Sequence, residues 1–248
     1  MNCSICDPKS KYENCICNKN FSEFYGIYTE LNNIKCTEKL NIVKNWSIST
    51  MTICCKFNSE IDLQKYREEY EVNNTKNSFY NCINTYTGVK YQTKNRVSVK
   101  IFTNGNIQLA GILNVMSATY AIRKMFKRIS NINAFNVEKE PHITDVRICM
   151  INSDFKIDKN IKQSLLCDHL DSIDYCFVKR YSFNPSKYPG INLKVFNPDN
   201  VNYTKKEVIT CAIFRPGSII ITGGNDINSY KYIFNKLIFI LENNSILC

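Results

Sequence analysis

Residues 97–111 read VSVKIFTNGNIQLAG, and residues 209–223 read ITCAIFRPGSIIITG. In both stretches an Ile-Phe pair is followed by two turn-forming residues and a glycine, and a second apolar segment ends in another glycine. This pattern is typical of a strand, a tight turn and a second strand, because glycine accepts the backbone angles that hairpin turns require. Phe102 and Phe214 are 112 positions apart, so the two stretches predict an internal repeat.

The segments around each hairpin recur in the same order: a strand, a helix and a middle strand before it, and a longer helix after it. In the first copy these are residues 47–57, 62–70, 79–86 and 118–129. In the second copy they are residues 143–151, 159–170, 188–196 and 228–242. Two helices can cover only one face of each sheet, so the other face, with an aromatic residue near each bend, favours a ligand.

The repeat divides the chain into three parts. We predict a cysteine-containing N-terminal extension at residues 1–38, a first repeat at residues 39–139 and a second repeat at residues 140–248. The loops between the predicted elements are rich in Asn and Lys.

Composition limits the partners and the compartment. The chain has 32 Lys and Arg against 22 Asp and Glu, a net charge of +10, which favours a polyanionic partner. No apolar stretch approaches the roughly 18 residues of a membrane helix, and the first residues do not resemble a secretory signal. The 13 cysteines are therefore expected to be reduced thiols of a cytosolic or nuclear protein.

The chain resembles the core of the TATA-box-binding proteins (TBP) over about residues 44–245. The family hairpin reads Ile-Phe, two residues, Gly, an apolar strand and Thr-Gly. The second copy has IFRPG at 213–217 and ITG at 221–223, and the first has IFTNG at 101–105 and LAG at 109–111. The family's Phe-Pro-Gly appears as YPG at 188–190, and its Ala-x-Arg-Lys helix run as AIRK at 121–124.

This resemblance implies an α+β saddle fold, in which two pseudo-symmetric repeats form a curved antiparallel sheet with helices on its convex face. It implies a non-enzymatic transcription initiation factor that binds AT-rich promoter DNA through the minor groove and bends it. The relatives that we expect are divergent TBP-like proteins of large cytoplasmic DNA viruses. That origin implies the viral factory in the host cytoplasm or the virion as the location, with the host nucleus as an alternative.

The resemblance also implies partners and contact residues. The partners are double-stranded DNA, a TFIIB-like factor and the RNA polymerase machinery, with no membrane and with a monomer on DNA. The residues that would be wedged between base steps are Phe79, Phe102, Tyr188 and Phe214, unless they are ordinary core aromatics of the hairpins. Tyr80 is an alternative to Phe79. The other residues expected to face DNA are Lys100, Gln108, Ala110, Ile220 and Thr222, with Lys194 as a phosphate contact.

Two further clusters have functional and non-functional interpretations. The basic helix face of Arg123, Lys124, Lys127 and Arg128 would bind a protein partner by analogy with the family, or is a solvated surface. Four thiols in the N-terminal extension could hold one zinc ion, or are free thiols on a tail: Cys3, Cys6, Cys15 and Cys17.

The principal alternative function is a TBP-fold scaffold in a viral transcription complex that does not bind specific DNA sequences. Trp46 and Val146 stand where the family carries a base-contacting Asn, which favours this alternative. Asn45 is one position away, so the feature is either absent or out of register. An enzyme is not expected, because the two histidines of the chain, His142 and His169, form no nucleophile-base pair in sequence. Cys167 is two positions from His169 on a predicted helix, so their side chains do not face each other.

Overall fold

A computed structural model describes residues 43–70, 81–90, 92–136, 140–198, 208–225, 227–242 and 245–248. Its contacts divide the chain into two compact units. Within the described residues, the first unit holds 50–149, and the second holds 43–49 together with 150–248. Both boundaries fall inside long strands, β1 (Val43–Phe57) and β7 (Ile143–Ile157), so each of these strands contributes to both units.

The first unit is a sheet with strands in the order β3-β4-β5-β1-β7, and the pairs β3–β4, β4–β5 and β5–β1 are antiparallel. A short β2–β6 pair lies beside it. The elements of this unit besides β1 and β7 are β2 (Glu60–Ile61), α1 (Leu63–Tyr70), β3 (Cys82–Gly88), β4 (Arg96–Phe102), β5 (Asn106–Ile112), α2 (Val115–Asn131) and β6 (Phe135–Asn136).

The second unit repeats this plan with strands in the order β7-β11-β10-β9-β8, all antiparallel to their neighbours. The sequence pattern does not predict β8, because most of its side chains are polar and exposed, as in a loop. The elements of this unit besides β1 and β7 are α3 (Gln163–Ser172), β8 (Val178–Asn184), β9 (Tyr188–Val195), β10 (Ile209–Ile213), β11 (Ser218–Thr222) and α4 (Ile227–Leu241).

Both predicted hairpins, β4–β5 and β10–β11, turn on a glycine with a left-handed backbone. The φ angle is +81° at Gly105 and +85° at Gly217. Each turn glycine also accepts a 2.9 Å hydrogen bond from the backbone N–H at the end of the long strand, Phe57 in the first unit and Ile157 in the second. A β-carbon on either glycine would overlap carbonyl oxygens of the adjoining chain. Glycine is therefore required here both for its φ angle and for its size.

The helices cover one face of each sheet. Helix α2 begins with Asn114, whose side chain accepts a hydrogen bond from the Ser117 N–H, and it buries one apolar stripe. Phe57, Phe126 and Phe135 meet in this core with ring centroids 5.4 Å apart. In the second unit, Phe155 and Phe234 meet edge to face at 5.0 Å. These aromatic contacts attach the long strand of each unit to its covering helix or to the neighbouring short strand.

Substitutions of two glycines in the first hairpin can separate the cost of an unfavourable φ angle from the cost of steric overlap. Gly105→Ala should destabilise the protein by about 2–4 kcal/mol, because it combines an unfavourable φ with overlap against backbone oxygens. Gly111→Ala should cost only about 1–2 kcal/mol, because Gly111 has a φ of +92° but no atom within 4 Å of an added β-carbon. Urea denaturation of both variants tests this order, and equal losses would contradict the role of the close contact.

Candidate nucleic-acid interface

Strand β4 separates the two faces of the sheet in the first unit. Val97, Val99 and Ile101 are buried, whereas the alternate residues are half-buried or exposed. The register of the neighbouring strands places Asn84 and Gln108 on either side of Lys100, and Tyr86 and Ala110 on either side of Ser98. We call this surface the first open face; its residues are Asn84, Tyr86, Ser98, Lys100, Phe102, Gln108 and Ala110.

Strand β11 does the same in the second unit, where Ile219 and Ile221 are buried and the alternate residues are not. Ile220 lies between Asp154 and Ala212, and Thr222 lies between Asn152 and Thr210. The next strand adds Asn192 beside Ala212 and Lys194 beside Thr210. We call this surface the second open face; its residues are Asn152, Asp154, Tyr188, Asn192, Lys194, Thr210, Ala212, Phe214, Ile220 and Thr222.

The residues predicted to contact DNA are found on these two faces. The first open face carries Lys100, Phe102, Gln108 and Ala110. The second carries Tyr188, Lys194, Phe214, Ile220 and Thr222. Phe79 lies outside the described residues. The structure therefore brings the described residues together on the two open faces. Their role in DNA binding stays a prediction.

Tyr188 and Phe214 form an aromatic pair at the turn end of the second open face. Their ring centroids are 5.6 Å apart in an edge-to-face arrangement, and Tyr188 is 39% exposed. Both rings lie over Gly190, where a β-carbon would come within 2.9 Å of each ring. In the first unit, by comparison, the cross-strand neighbour of Phe102 is Cys82 and not an aromatic residue. The glycine thus lets two rings share one exposed site.

Sequence reasoning missed an asparagine at the same place in each unit. Asn84 is the cross-strand neighbour of Lys100, and Asn192 is the cross-strand neighbour of Ala212, which lies 112 positions after Lys100. The two asparagines are 108 positions apart in sequence, because the chain between the middle strand and the hairpin differs in length. The sequence repeat of the hairpins alone therefore could not align the two asparagines, whereas the pairing register of the strands does align them.

Cations accompany the polar residues. The Lys194 ammonium donates a 2.7 Å hydrogen bond to the Thr210 hydroxyl, and Arg180 on β8 is its other cross-strand neighbour. In the first unit the Arg96 guanidinium lies 4.5 Å from the centre of the Tyr86 ring. These positive groups could contact phosphates while the small residues between them face the bases.

The first-strand positions hold different chemistry from the family's asparagine. Val146 is 8% exposed and faces the core, and the side chain of Trp46 lies outside the described part of β1. Cys54, Cys149 and Arg147 instead lie together in the first unit. The hydrogen bond with Cys149 and partial burial raise the pKa of Cys54. Hydrogen bonds from Cys54 and Arg147 lower the pKa of Cys149, so Cys149 is the more readily ionised thiol of the pair.

We expect iodoacetamide at pH 7 to alkylate Cys149 roughly tenfold faster than Cys54, because the thiolate is the nucleophile. Arg147→Met should slow the reaction at Cys149, since it removes a donor to the thiolate. Timed alkylation of the native protein with peptide mapping measures both rates, and the exposed Cys248 serves as an internal reference. Equal rates at Cys54 and Cys149 would show that the assignment of the charge is wrong.

The predicted partner-binding face on α2 is partly used within the protein. The Arg128 guanidinium donates to the Tyr66 hydroxyl at 3.1 Å and to the Tyr86 carbonyl at 3.3 Å, and it lies 4.9 Å from the Tyr70 ring centre. Lys124 lies 5.9 Å from the Tyr120 ring centre, Arg123 is half-buried and Lys127 is exposed. Arg128 thus fastens α2 to α1 and β3, and binding of a partner by this helix stays a prediction.

Both histidines lie in the described ranges, and each is in contact with a neighbouring oxygen. The His169 ring meets the Tyr175 hydroxyl at 2.9 Å, and the nearby Cys167 has a pKa raised by burial. The His142 ring nitrogen meets the Glu140 carbonyl at 3.2 Å. Within the described ranges there is no cluster of three metal-ligating side chains. The candidate zinc ligands Cys3, Cys6, Cys15 and Cys17 lie outside those ranges.

Comparison with known proteins agrees with this geometry. A family model described as transcription factor TFIID, or TATA-binding protein (TBP), matches residues 45–132. The chain is 26% identical to a TATA-box-binding protein-like protein of Acanthamoeba polyphaga mimivirus over 232 residues, covering 74% of this chain and 61% of that protein. It is 23% identical to the TATA-box-binding protein of Archaeoglobus fulgidus, covering 71% of this chain and 84% of that one.

The solved structure of the Methanococcus jannaschii TBP superposes on the chain with a TM-score of 0.53 at 17% identity. The match covers 80% of this chain and 99% of the archaeal chain. The chain is thus similar to TBP and TBP-like proteins, and it shares their fold. The similarity to the mimivirus protein supports the viral assignment made from the sequence.

The predicted fold class, α+β with antiparallel strands and helices, is confirmed by the structural match. The chain spans about three fifths of the length of its mimivirus relative. No helix in the described ranges is both long and apolar enough to span a membrane.

Proposed function

We propose that this protein is a TBP-like transcription initiation factor that binds AT-rich promoter DNA through the minor groove and bends it. The single observation that carries the proposal is the placement of half-exposed aromatic residues at the turn of each open face, Phe102 in the first unit and Phe214 with Tyr188 in the second. An aromatic side chain at the end of a sheet can enter a base step. TATA-binding proteins are themselves the standard case of such wedges.

The rest of each face suits the minor groove. An A·T pair presents only acceptors there, so a protein surface needs few donors and gains mostly from shape. Ala110, Ala212 and Thr222 are small residues that would permit close approach to sugars and base edges. Lys194, Arg180 and Lys100 can neutralise phosphates, in keeping with a net charge of +10. The residues that would pack in the groove are thus different from the residues that would contact phosphates.

Bending tests the wedge mechanism directly. The double variant Phe102→Ala, Phe214→Ala should reduce or remove the bend and weaken binding, because the phenylalanine at the turn of each open face is then no longer available to enter a base step. Phe239→Ala is the matched control, since Phe239 is 64% exposed on α4 and belongs to neither open face. Fluorescence transfer between dyes at the two duplex ends measures the bend. A straight duplex in the wild-type complex would exclude the mechanism.

The second candidate function is a TBP-fold scaffold without sequence-specific DNA binding. The observation that favours it is an acidic side chain, Asp154, on the second open face, which would lie against the negatively charged DNA. A scaffold would act by binding proteins, for example a TFIIB-like factor or the polymerase. In either case we propose the viral factory in the host cytoplasm, or the virion, as its location, with the host nucleus as the alternative.

A mobility-shift titration distinguishes the two functions. A DNA-binding factor should prefer an AT-rich duplex over a GC-rich one by at least about tenfold, because each mismatched pair in a site costs about 1–3 kcal/mol. Equal affinity for the two duplexes, or none, would favour the scaffold. The titration should be repeated at several salt concentrations, since phosphate contacts alone give strong salt dependence without sequence preference.

A further inference from the structure

Asp154 is an unexpected residue on a surface proposed to face DNA. Its Oδ1 accepts hydrogen bonds from the Ser49 hydroxyl at 2.5 Å and from the Ser47 hydroxyl at 3.4 Å. Its cross-strand neighbour is Ile220, which is 38% exposed. Strand β7 buries Phe155 and Ile157 on the opposite face, so the carboxylate shares the second open face with Ile220.

An open cavity lies at this carboxylate. It measures about 400 Å³ and is bounded by Ser49, Asp154, Phe155, Lys156, Ser218, Ile219 and Ile220. The cavity is on the surface, and a group protruding from a bound ligand could enter it. The exposed Lys156 offsets part of the negative charge at its rim.

The two serine hydroxyls orient the carboxylate without saturating it. An ionised carboxyl group has two oxygens with about four lone-pair positions and can only accept hydrogen bonds. Two serine donors therefore leave capacity for a donor from outside the protein. Both serine hydroxyls donate to Oδ1, so neither contact uses Oδ2.

The minor groove offers one kind of donor to such a group. A·T and T·A pairs display only acceptors, the adenine N3 and the thymine O2, which a carboxylate would repel. A G·C pair adds the guanine N2 amino group, which projects into the groove and donates. We propose that Asp154, held by Ser49 and Ser47, accepts a hydrogen bond from a guanine N2 amino group at one position of an otherwise AT-rich site.

The repeat makes this recognition specific to one unit. Gln108 and Ile220 are 112 positions apart, and their cross-strand neighbours on the long strands are Cys54 and Asp154. Cys54 is therefore the counterpart of Asp154 in the first unit. The Cys54 thiol is a poorer hydrogen-bond acceptor than a carboxylate, so at this position a G·C pair is favoured under the second unit. The inference rests on the proposed minor-groove binding and adds a directional element to the site.

Inosine provides a test that changes only the amino group. An I·C pair lacks the N2 amino group of G·C but keeps the major-groove edge, so a duplex set in which one G·C or I·C pair is moved through an AT-rich site isolates the contact. At one position, the wild-type protein should bind the G·C duplex roughly tenfold more tightly than the I·C duplex, because hydrogen bonds to charged groups are the stronger ones. Asp154→Ala should abolish the difference there.

Two variants complete the experiment. Lys156→Ala, on the same strand and face, should weaken binding to every duplex equally and leave the G·C to I·C ratio unchanged. Asp154→Asn keeps the shape if the alanine variant fails to fold, and it should reduce the ratio. Binding of AT-rich duplexes without any G·C to I·C difference overturns the role of Asp154 alone. Failure to bind any duplex overturns the proposed function together with this inference.

Discussion

The contact between each turn glycine and the end of the adjoining long strand is the constraint on which the sheet depends. Gly105 accepts from the N–H of Phe57, and Gly217 accepts from the N–H of Ile157. Because an added β-carbon would overlap the carbonyl oxygens next to these strand ends, the turn can approach only as glycine. The contact holds the hairpin in one register on the long strand. A shift by one residue would exchange the buried and open faces.

Register then determines which side chains share a surface. It aligns Gln108 with Cys54 in the first unit and Ile220 with Asp154 in the second, so equivalent positions carry different chemistry. The first open face has Lys100 where the second has Ala212. The two units therefore share one backbone plan while their surfaces differ in charge and in hydrogen-bonding character. A pseudo-symmetric fold can in this way present an asymmetric surface to an asymmetric ligand.

Local pattern predicted the elements that alternate strongly. The hairpins, the long helix at 115–131 and the final helix at 227–241 were expected within a few residues, because apolar periodicity and turn glycines mark them. Strand β8 was not expected, since only cross-strand pairing with β9 distinguishes its polar residues from a loop. Arg128 looked like a surface cation, yet tyrosines far away in sequence surround it.

The sequence by itself determined that the chain contains two related hairpins with turn glycines, a basic net charge and the motifs of the TBP family. Those properties are local or compositional, so they can be recognised without knowledge of any tertiary contact. Only the tertiary structure decided that Asn84 and Asn192 are equivalent, that Cys54 meets Cys149, and that Asp154 is held by serines from another strand. Such pairs join segments about 100 residues apart, and hydrogen bonding across the sheet, not spacing along the chain, brings them together.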